Sequence, residues 1–356
     1  MDLTCIERSF RLKKRAKKAR RHVEMTRIDW LNKLEKETKK TLQLDAVDLA
    51  LPSGPLLKVR VAGPPSLHHS DLVPGVYEGG FKLWEGAVDL ARLLAEEAIE
   101  AATTAEEAEA APSLSSAPPP VSLVPLDSHL PRWLPGAPRP PSLHGARVLE
   151  LGCGAALPSL VAAKAATGRG GGTGKGKGKG GGGERRGPVS VTLCDFNAEV
   201  LRTCTAANVA ANFPEESEGA GSAAEGCRGE KALFRFFAGD WSNLREALGA
   251  AGALPPPSPC SPFSSASPGF DLILAAEVTY SPESYVPLAD AIADLLAPPP
   301  ATSAALVAAK RHYFGVGGNV EGFVESVTRG GRLRVEKVAV VEGPLPRDVL
   351  LLTRVQ

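Results

Sequence analysis

Val148-Leu149-Glu150-Leu151-Gly152-Cys153-Gly154 is a short apolar run that ends in a glycine turn. A run of this length, closed by glycine and followed by the helix-favouring residues 155–166, reads as a buried strand feeding a helix. The same unit recurs down the chain. Strand 189–194 closes on Asp195 and leads to a helix over 200–211, and strand 235–238 closes on Gly239-Asp240-Trp241. Strand 270–276, with Ala276 at its end, closes on Glu277 and precedes a helix over 283–296; strand 304–309 runs into Lys310-Arg311-His312-Tyr313-Phe314-Gly315. A helix over 319–329 and two β-rich segments, 332–341 and 348–355, complete the chain. Their short connection through Pro344 and Pro346 predicts an antiparallel pair.

Five strands alternating with helices require crossover connections, hence a parallel sheet covered on both faces. With a reversed terminal hairpin, the expected fold is α/β, a seven-strand Rossmann-like sheet of the class I methyltransferase layout. Upstream, Val88, Leu90, Ala91, Leu94 and Ile99 fall at helical spacing, which predicts a helix from Trp84 to about residue 110.

Glycine and proline are concentrated in particular stretches. The Pro/Ser-rich stretches 112–145 and 255–269, the Gly/Lys-rich 168–188 and the stretch 214–229 read as flexible insertions in one domain spanning 67–356. Residues 1–66 read as a basic arm, helical or disordered. Residues 1–40 carry a net charge of +8 and the remainder −7. The run Arg11-Leu12-Lys13-Lys14-Arg15-Ala16-Lys17-Lys18-Ala19-Arg20-Arg21 suits a nuclear or nucleolar address or an RNA contact. No apolar run is long enough for a membrane span, and no apolar core follows the basic N-terminus as a secretory signal would need. The six cysteines lack a C-x-x-C pair, so neither a disulfide framework nor a metal site is indicated. The expected state is a monomeric enzyme of the cytoplasm and nucleus.

In open α/β sheets ligands bind at the carboxyl ends of the strands. Three such ends carry suitable groups. Gly152 and Gly154 let a ligand approach the backbone, Asp195 can accept from a ribose diol, and Gly239-Asp240-Trp241 offers an acceptor and an aromatic wall. A dinucleotide dehydrogenase begins with the same turn, but its fingerprint needs a third glycine where Leu157 stands. Glu150, Asp195 and Asp240 together suit a ligand bearing a sulfonium and an ammonium better than a pyrophosphate.

Residues 71–85, 149–154, Asp195-Phe196-Asn197, Gly239-Asp240-Trp241, 277–280 and 310–318 together resemble the protein-histidine N-methyltransferase family. The segments PGVYEGGFKLWE (74–85) and HYFGVGG (312–318) discriminate most. The resemblance covers most of 71–356 apart from the insertions. It implies S-adenosyl-L-methionine as cofactor, held by Leu83-Trp84-Glu85-Gly86-Ala87, Gly152, Asp195-Phe196-Asn197 and Gly239-Asp240-Trp241. It also implies a protein substrate, a histidine of a large-subunit ribosomal protein, attacked through its τ nitrogen. Ala155-Ala156 stands where the family usually has Ser-Gly, and Gly86-Ala87 replaces bulkier residues.

Methyl transfer to imidazole needs a neutral ring in one tautomer, which a carboxylate accepting one ring N–H would select. Glu277 is the candidate for that acceptor, with Tyr280 one helical turn on as a wall or second hydrogen bond. His312 is a candidate proton shuttle, and residues 71–80 a lid over the cofactor. Two other readings remain open: a lysine methyltransferase of the same fold, which commonly has an acidic-x-x-Tyr group at this place, and a non-catalytic ribosome-assembly or RNA-binding factor.

Overall fold

In the computed structural model the described residues are 23–25, 45–49, 57–61, 78–109, 130–143, 145–165, 190–213, 233–255, 268–299 and 302–355. In chain order they form β1 (Val23–Met25), β2 (Asp45–Leu49), β3 (Leu57–Val61), α1 (Glu85–Glu109), β4 (Arg132–Trp133), β5 (Arg147–Leu151) and α2 (Leu157–Ala165). Next come β6 (Ser190–Asp195) and α3, which starts as Ala198–Val200, widens into a π-turn at Leu201–Thr205 and closes as Ala206–Asn212. The remainder is β7 (Phe234–Ala238), α4 (Leu244–Ala250), β8 (Leu272–Ala276), α5 (Tyr285–Leu295), β9 (Ala304–Lys310), α6 (Val320–Gly330), β10 (Leu333–Val341) and β11 (Arg347–Arg354).

One sheet runs in the order β1-β7-β6-β5-β8-β9-β11-β10-β4. Strands β7, β6, β5, β8 and β9 are mutually parallel, and β11 runs antiparallel to both β9 and β10. This is the Rossmann-like class I layout expected from the alternation, with the glycine turn at the end of its central strand. The order reverses between β5 and β8, which puts a crevice at their carboxyl ends.

Two edge strands exceed the seven expected. Val23–Met25 pairs antiparallel with β7, although its basic surroundings had suggested a helix. Arg132–Trp133 pairs with β10, so the stretch read as a 112–145 insertion supplies an edge strand in its second half. Strands β2 and β3 make a separate two-stranded sheet within 1–66. The basic run 11–21 and the insertion cores 168–188 and 214–229 lie outside the described residues.

Each central strand is buried on both sides, and alternate residues feed two cores. Val148, Val191, Leu193, Leu272, Leu274 and Leu306 pack with Leu90, Leu94, Leu160 and Val161 of α1 and α2. Leu149, Leu151, Ile273 and Val307 pack with Leu288, Ile292, Phe323 and Leu248 of α5, α6 and α4. Each fully buried side chain of this size contributes about 1.5–3 kcal/mol. At the opposite end of the sheet from the glycine turn, Arg147 and Asp271 form a buried bidentate pair at 2.9 and 2.7 Å. Asp271 also accepts from the Arg147 backbone N–H, which ties the starts of β5 and β8 together. Among the described residues no helix is long and apolar enough to cross a membrane.

Candidate active site

A cleft of about 400 Å³ opens at the carboxyl ends of β5, β6, β7 and β8. Leu83, Trp84, Ala87, Glu150, Gly152, Gly154, Asp195, Phe196, Gly239, Asp240, Trp241, Ala276, Glu277 and Tyr280 all line it. The lining residues from Glu150 to Tyr280 converge because they end or follow adjacent parallel strands, and Leu83, Trp84 and Ala87 join them from the strap and the first turn of α1.

The glycine turn is shaped from both sides. At Gly154 (φ +48°) a Cβ would lie 2.9 Å from the Gly80 carbonyl oxygen, so the strap 78–84 can cross the turn only because that side chain is missing. Behind the turn, the π-turn of α3 brings Thr205 Oγ1 to the Gly154 carbonyl at 2.6 Å. Asn208 Nδ2 donates to the Ala155 carbonyl at 3.0 Å. With these carbonyls engaged from behind, the turn holds its shape under the cleft. Ala156, in the same turn, adopts φ +59°.

Asp195 is buried, and both its oxygens are engaged by backbone: Gly154 N donates to Oδ2 at 3.0 Å and Asn197 N to Oδ1 at 2.9 Å. Burial nevertheless raises its carboxyl to about 6, with the nearby Glu78 charge adding to the rise and the two N–H donors opposing it. Glu150 is more perturbed. It is 2% exposed, accepts from Ser159 N at 3.1 Å, and burial pushes it up to about 8. Asp240 is spent partly on local structure, its Oδ1 accepting from Ser242 N at 2.9 Å as the cap of the turn Trp241–Asn243.

Glu277 departs from the sequence expectation in a useful way. It is not in a helix with Tyr280; its backbone takes the left-handed conformation, φ +58°, one of two non-glycine residues with positive φ among those described. Such strain persists only where the surroundings impose it, and it collects at functional sites. Its Oε1 accepts from Gly86 N, at the start of α1, at 3.0 Å. Its Oε2 is buried, with the Tyr313 hydroxyl close to the carboxyl. Burial raises this carboxyl above the usual range, while Lys310 and the Tyr313 hydroxyl favour its charged form.

Tyr280 reaches across the cleft mouth, its hydroxyl hydrogen-bonding Glu78 Oε2. Glu78 N in turn donates to Asn197 Oδ1 at 3.0 Å, and Trp84 Nε1 to the Gly79 carbonyl at 3.0 Å. The described part of the 71–80 segment thus already crosses the glycine turn; residues 71–77 lie outside the described set. Lys82 and Lys310 approach the Trp84 ring, at 4.3 and 4.8 Å from its centroid.

Four expected site residues do not line the cleft. Glu85 turns outward to pair with Lys310 at 3.0 Å, and Gly86 and Asn197 act from behind through Glu277 and Glu78. His312 is exposed and its backbone bridges Asn319, outside the cleft lining. Glu78, Lys82, Cys153, Val278, Ser281, Glu283, Ser284 and Pro287 also line the cleft and were missed. Glu78 and Lys82 lie inside the discriminating 74–85 segment, and Cys153 and Val278 inside the segments 149–154 and 277–280; the others carried no signal. Among the described residues no cluster of three potential metal ligands occurs.

No family model matches the chain. Curated proteins named "Histidine protein methyltransferase 1 homolog" do. The mouse protein is 27% identical over 298 residues, covering 80% of this chain and 59% of its own length. The cattle protein is 26% identical over 339 residues (90% and 69%), and the Dictyostelium discoideum protein 25% over 289 (81% and 62%). The chain thus spans about three fifths of the length of most of these relatives. Among solved structures, it overlaps a TehB-like SAM-dependent methyltransferase from Corynebacterium glutamicum, 16% identical, at a TM-score of 0.33, over 60% of this chain and 82% of that one. The fold assignment rests on the strand order itself. Over four fifths of its length or more, this chain is similar to curated histidine protein methyltransferases.

Proposed function

We propose that the chain is an S-adenosyl-L-methionine-dependent protein methyltransferase that methylates the τ nitrogen of a histidine in a large-subunit ribosomal protein. The observation that carries the enzyme class is the lining of the cleft. Glu78, Asp195, Asp240, Glu277 and Glu283 face a single lysine, Lys82, while the buried Glu150 keeps its proton at neutral pH. A pyrophosphate would be repelled there, whereas a sulfonium and an ammonium are attracted. At Gly154 the space a Cβ would need is taken by the Gly80 carbonyl, so this glycine seats the strap that walls the cleft. Glu150, Asp195, Trp241 and the glycine turn would hold the cofactor, which supplies an electrophilic methyl group when bound.

The chain's own residues then have to orient and desolvate the acceptor. A free histidine has a pKa near 6.5, so at neutral pH the ring is mostly neutral and needs only a tautomer chosen. The carboxylate of Glu277, in the cleft wall, is the acceptor for one ring N–H, leaving the other nitrogen's lone pair free. Tyr280, fixed by Glu78, closes the mouth against water. The names of the similar proteins and segments 74–85 and 312–318 favour histidine over lysine, which the acidic-x-x-Tyr arrangement alone would also suit.

Titration calorimetry tests the cofactor assignment. S-adenosylmethionine should bind with a micromolar dissociation constant and NAD should not bind; the reverse order of affinity would remove the reading. The basic run 11–21 we assign to RNA contact and nuclear entry, supported by the opposed charges of arm and body. Replacing its lysines and arginines by glutamine should abolish nuclear accumulation of a fluorescent fusion, and unchanged accumulation would refute that assignment.

A further inference from the structure

Seven large hydrophobic side chains are exposed among the described residues; one of them lines the cleft and three others stand on segments that adjoin cleft residues. Phe196 lines one lip. Val286, 60% exposed, stands between Tyr285 and the cleft-lining Pro287 at the start of α5. Phe314 and Val316 project from the loop after β9, with Phe314 87% exposed. Isolated exposed hydrophobics are ordinary, so what joins these segments to the cleft decides how they are read.

The loop that carries Phe314 is tied to the cleft wall. Gly318 N donates to the Tyr280 carbonyl at 2.9 Å, Tyr313 N to Gly318 O at 2.9 Å, and Gly317 N to Tyr313 O at 3.2 Å. The loop seats so closely that a Cβ on Gly318 would fall 2.2 Å from the Tyr280 carbonyl carbon. Asn319 N donates to the Tyr285 hydroxyl at 2.6 Å, which joins the loop to the helix bearing Val286. Phe314 is therefore presented to solvent from a hydrogen-bonded turn whose anchor is a cleft residue.

We infer that Phe314, Val316, Val286 and Phe196 form an apolar rim that docks the substrate polypeptide on either side of the methyl acceptor. The occupant is a protein segment with apolar side chains flanking the acceptor and without net negative charge. The acidic lining of the cleft against one lysine selects that charge, and it disfavours a nucleic-acid backbone at the same opening. The inference rests on the proposed protein methyltransferase activity and adds which surface recognises the substrate.

The test uses the full chain, tritiated S-adenosylmethionine and ribosomal protein extract over a range of concentrations. The double variant Phe314→Ser/Val286→Ser should raise the half-saturating extract concentration at least tenfold. Its saturating rate, melting temperature and calorimetric cofactor affinity should match the parent. Leu345→Ser, which removes an exposed hydrophobic from the β10–β11 turn, should change none of these. An unchanged half-saturation in the double variant overturns the docking rim while leaving the activity standing, and so does a loss explained by weaker cofactor binding. A ribonuclease-sensitive labelled product overturns it in favour of an RNA partner. A parent protein that binds cofactor yet labels nothing in the extract overturns the activity itself and the rim with it.

Discussion

Glu277 Oε1 accepts a hydrogen bond from Gly86 N at 3.0 Å, joining the end of β8 to the first turn of α1 across 191 residues. A Cβ on Gly86 would sit 2.6 Å from that oxygen and 3.1 Å from Cγ and Cδ of the same side chain. Gly86→Ala therefore has to push the carboxylate out of place. A helical Gly→Ala change gains about 1 kcal/mol in propensity, and the displacement costs about 1–2 kcal/mol. The melting temperature should move by only a few degrees while methylation falls at least tenfold. Parallel losses of stability and rate would mean that Gly86 matters for folding alone.

Glu277→Gln separates capping from chemistry. The amide oxygen can still accept from Gly86 N, so stability should change by less than about 1 kcal/mol. The charge that selects the imidazole tautomer is lost, and kcat should drop about tenfold to a hundredfold with cofactor affinity retained. An undiminished kcat would reduce Glu277 to a cap for α1.

Glu150 gives the fold a pH dependence. In the unfolded chain its carboxyl loses its proton near the ordinary 4.5, and in the folded chain it keeps the proton up to about 8. Between these values the folded state binds more protons, so stability falls as pH rises through the window and levels off above it. From pH 6 to 8 the loss is on the order of 2 kcal/mol. The corresponding window for Asp195, 3.8 to about 6, lies below that range. Thermal melts of Glu150→Gln should show a shallower decline than the parent over pH 6–8. Equal slopes would place the titration elsewhere.

The sheet was legible because each central strand is a short apolar run closed by glycine or a carboxylate, and those closing residues are the ones that converge. Edge strands of two and three residues, such as Arg132–Trp133 and Val23–Met25, carry too little periodicity to be read. The left-handed backbone of Glu277 could not be foreseen, since nothing in a glutamate's identity favours positive φ; it follows from the packing of β8 against α1. The loop after β9 turns through Gly315 and Gly317, both at φ +85°, and His312 is exposed there, a placement that its position in the sequence does not carry. Glu78 needed Tyr280 as a partner two hundred positions away before its place in the cleft wall could be seen.

The Arg147–Asp271 pair lies away from the cleft and should report on stability alone. Asp271→Ala leaves a guanidinium that is 2% exposed without its counter-charge, which costs about 3–5 kcal/mol. Denaturant unfolding should show that loss at an unchanged slope, with cofactor affinity intact at temperatures where the variant is folded. A loss below about 1 kcal/mol would mean that the pair is solvated in practice.

The most direct measurement is the identity of the methylated residue. Purified protein is incubated with tritiated S-adenosylmethionine and ribosomal extract, the labelled protein is hydrolysed to amino acids, and the label is assigned by chromatography against standards. The expected result is τ-methylhistidine, absent when cofactor-free or heat-denatured enzyme is used. Label in methyllysine would contradict the histidine reading, and the acidic-x-x-Tyr arrangement of Glu277 and Tyr280 would then belong to a lysine site.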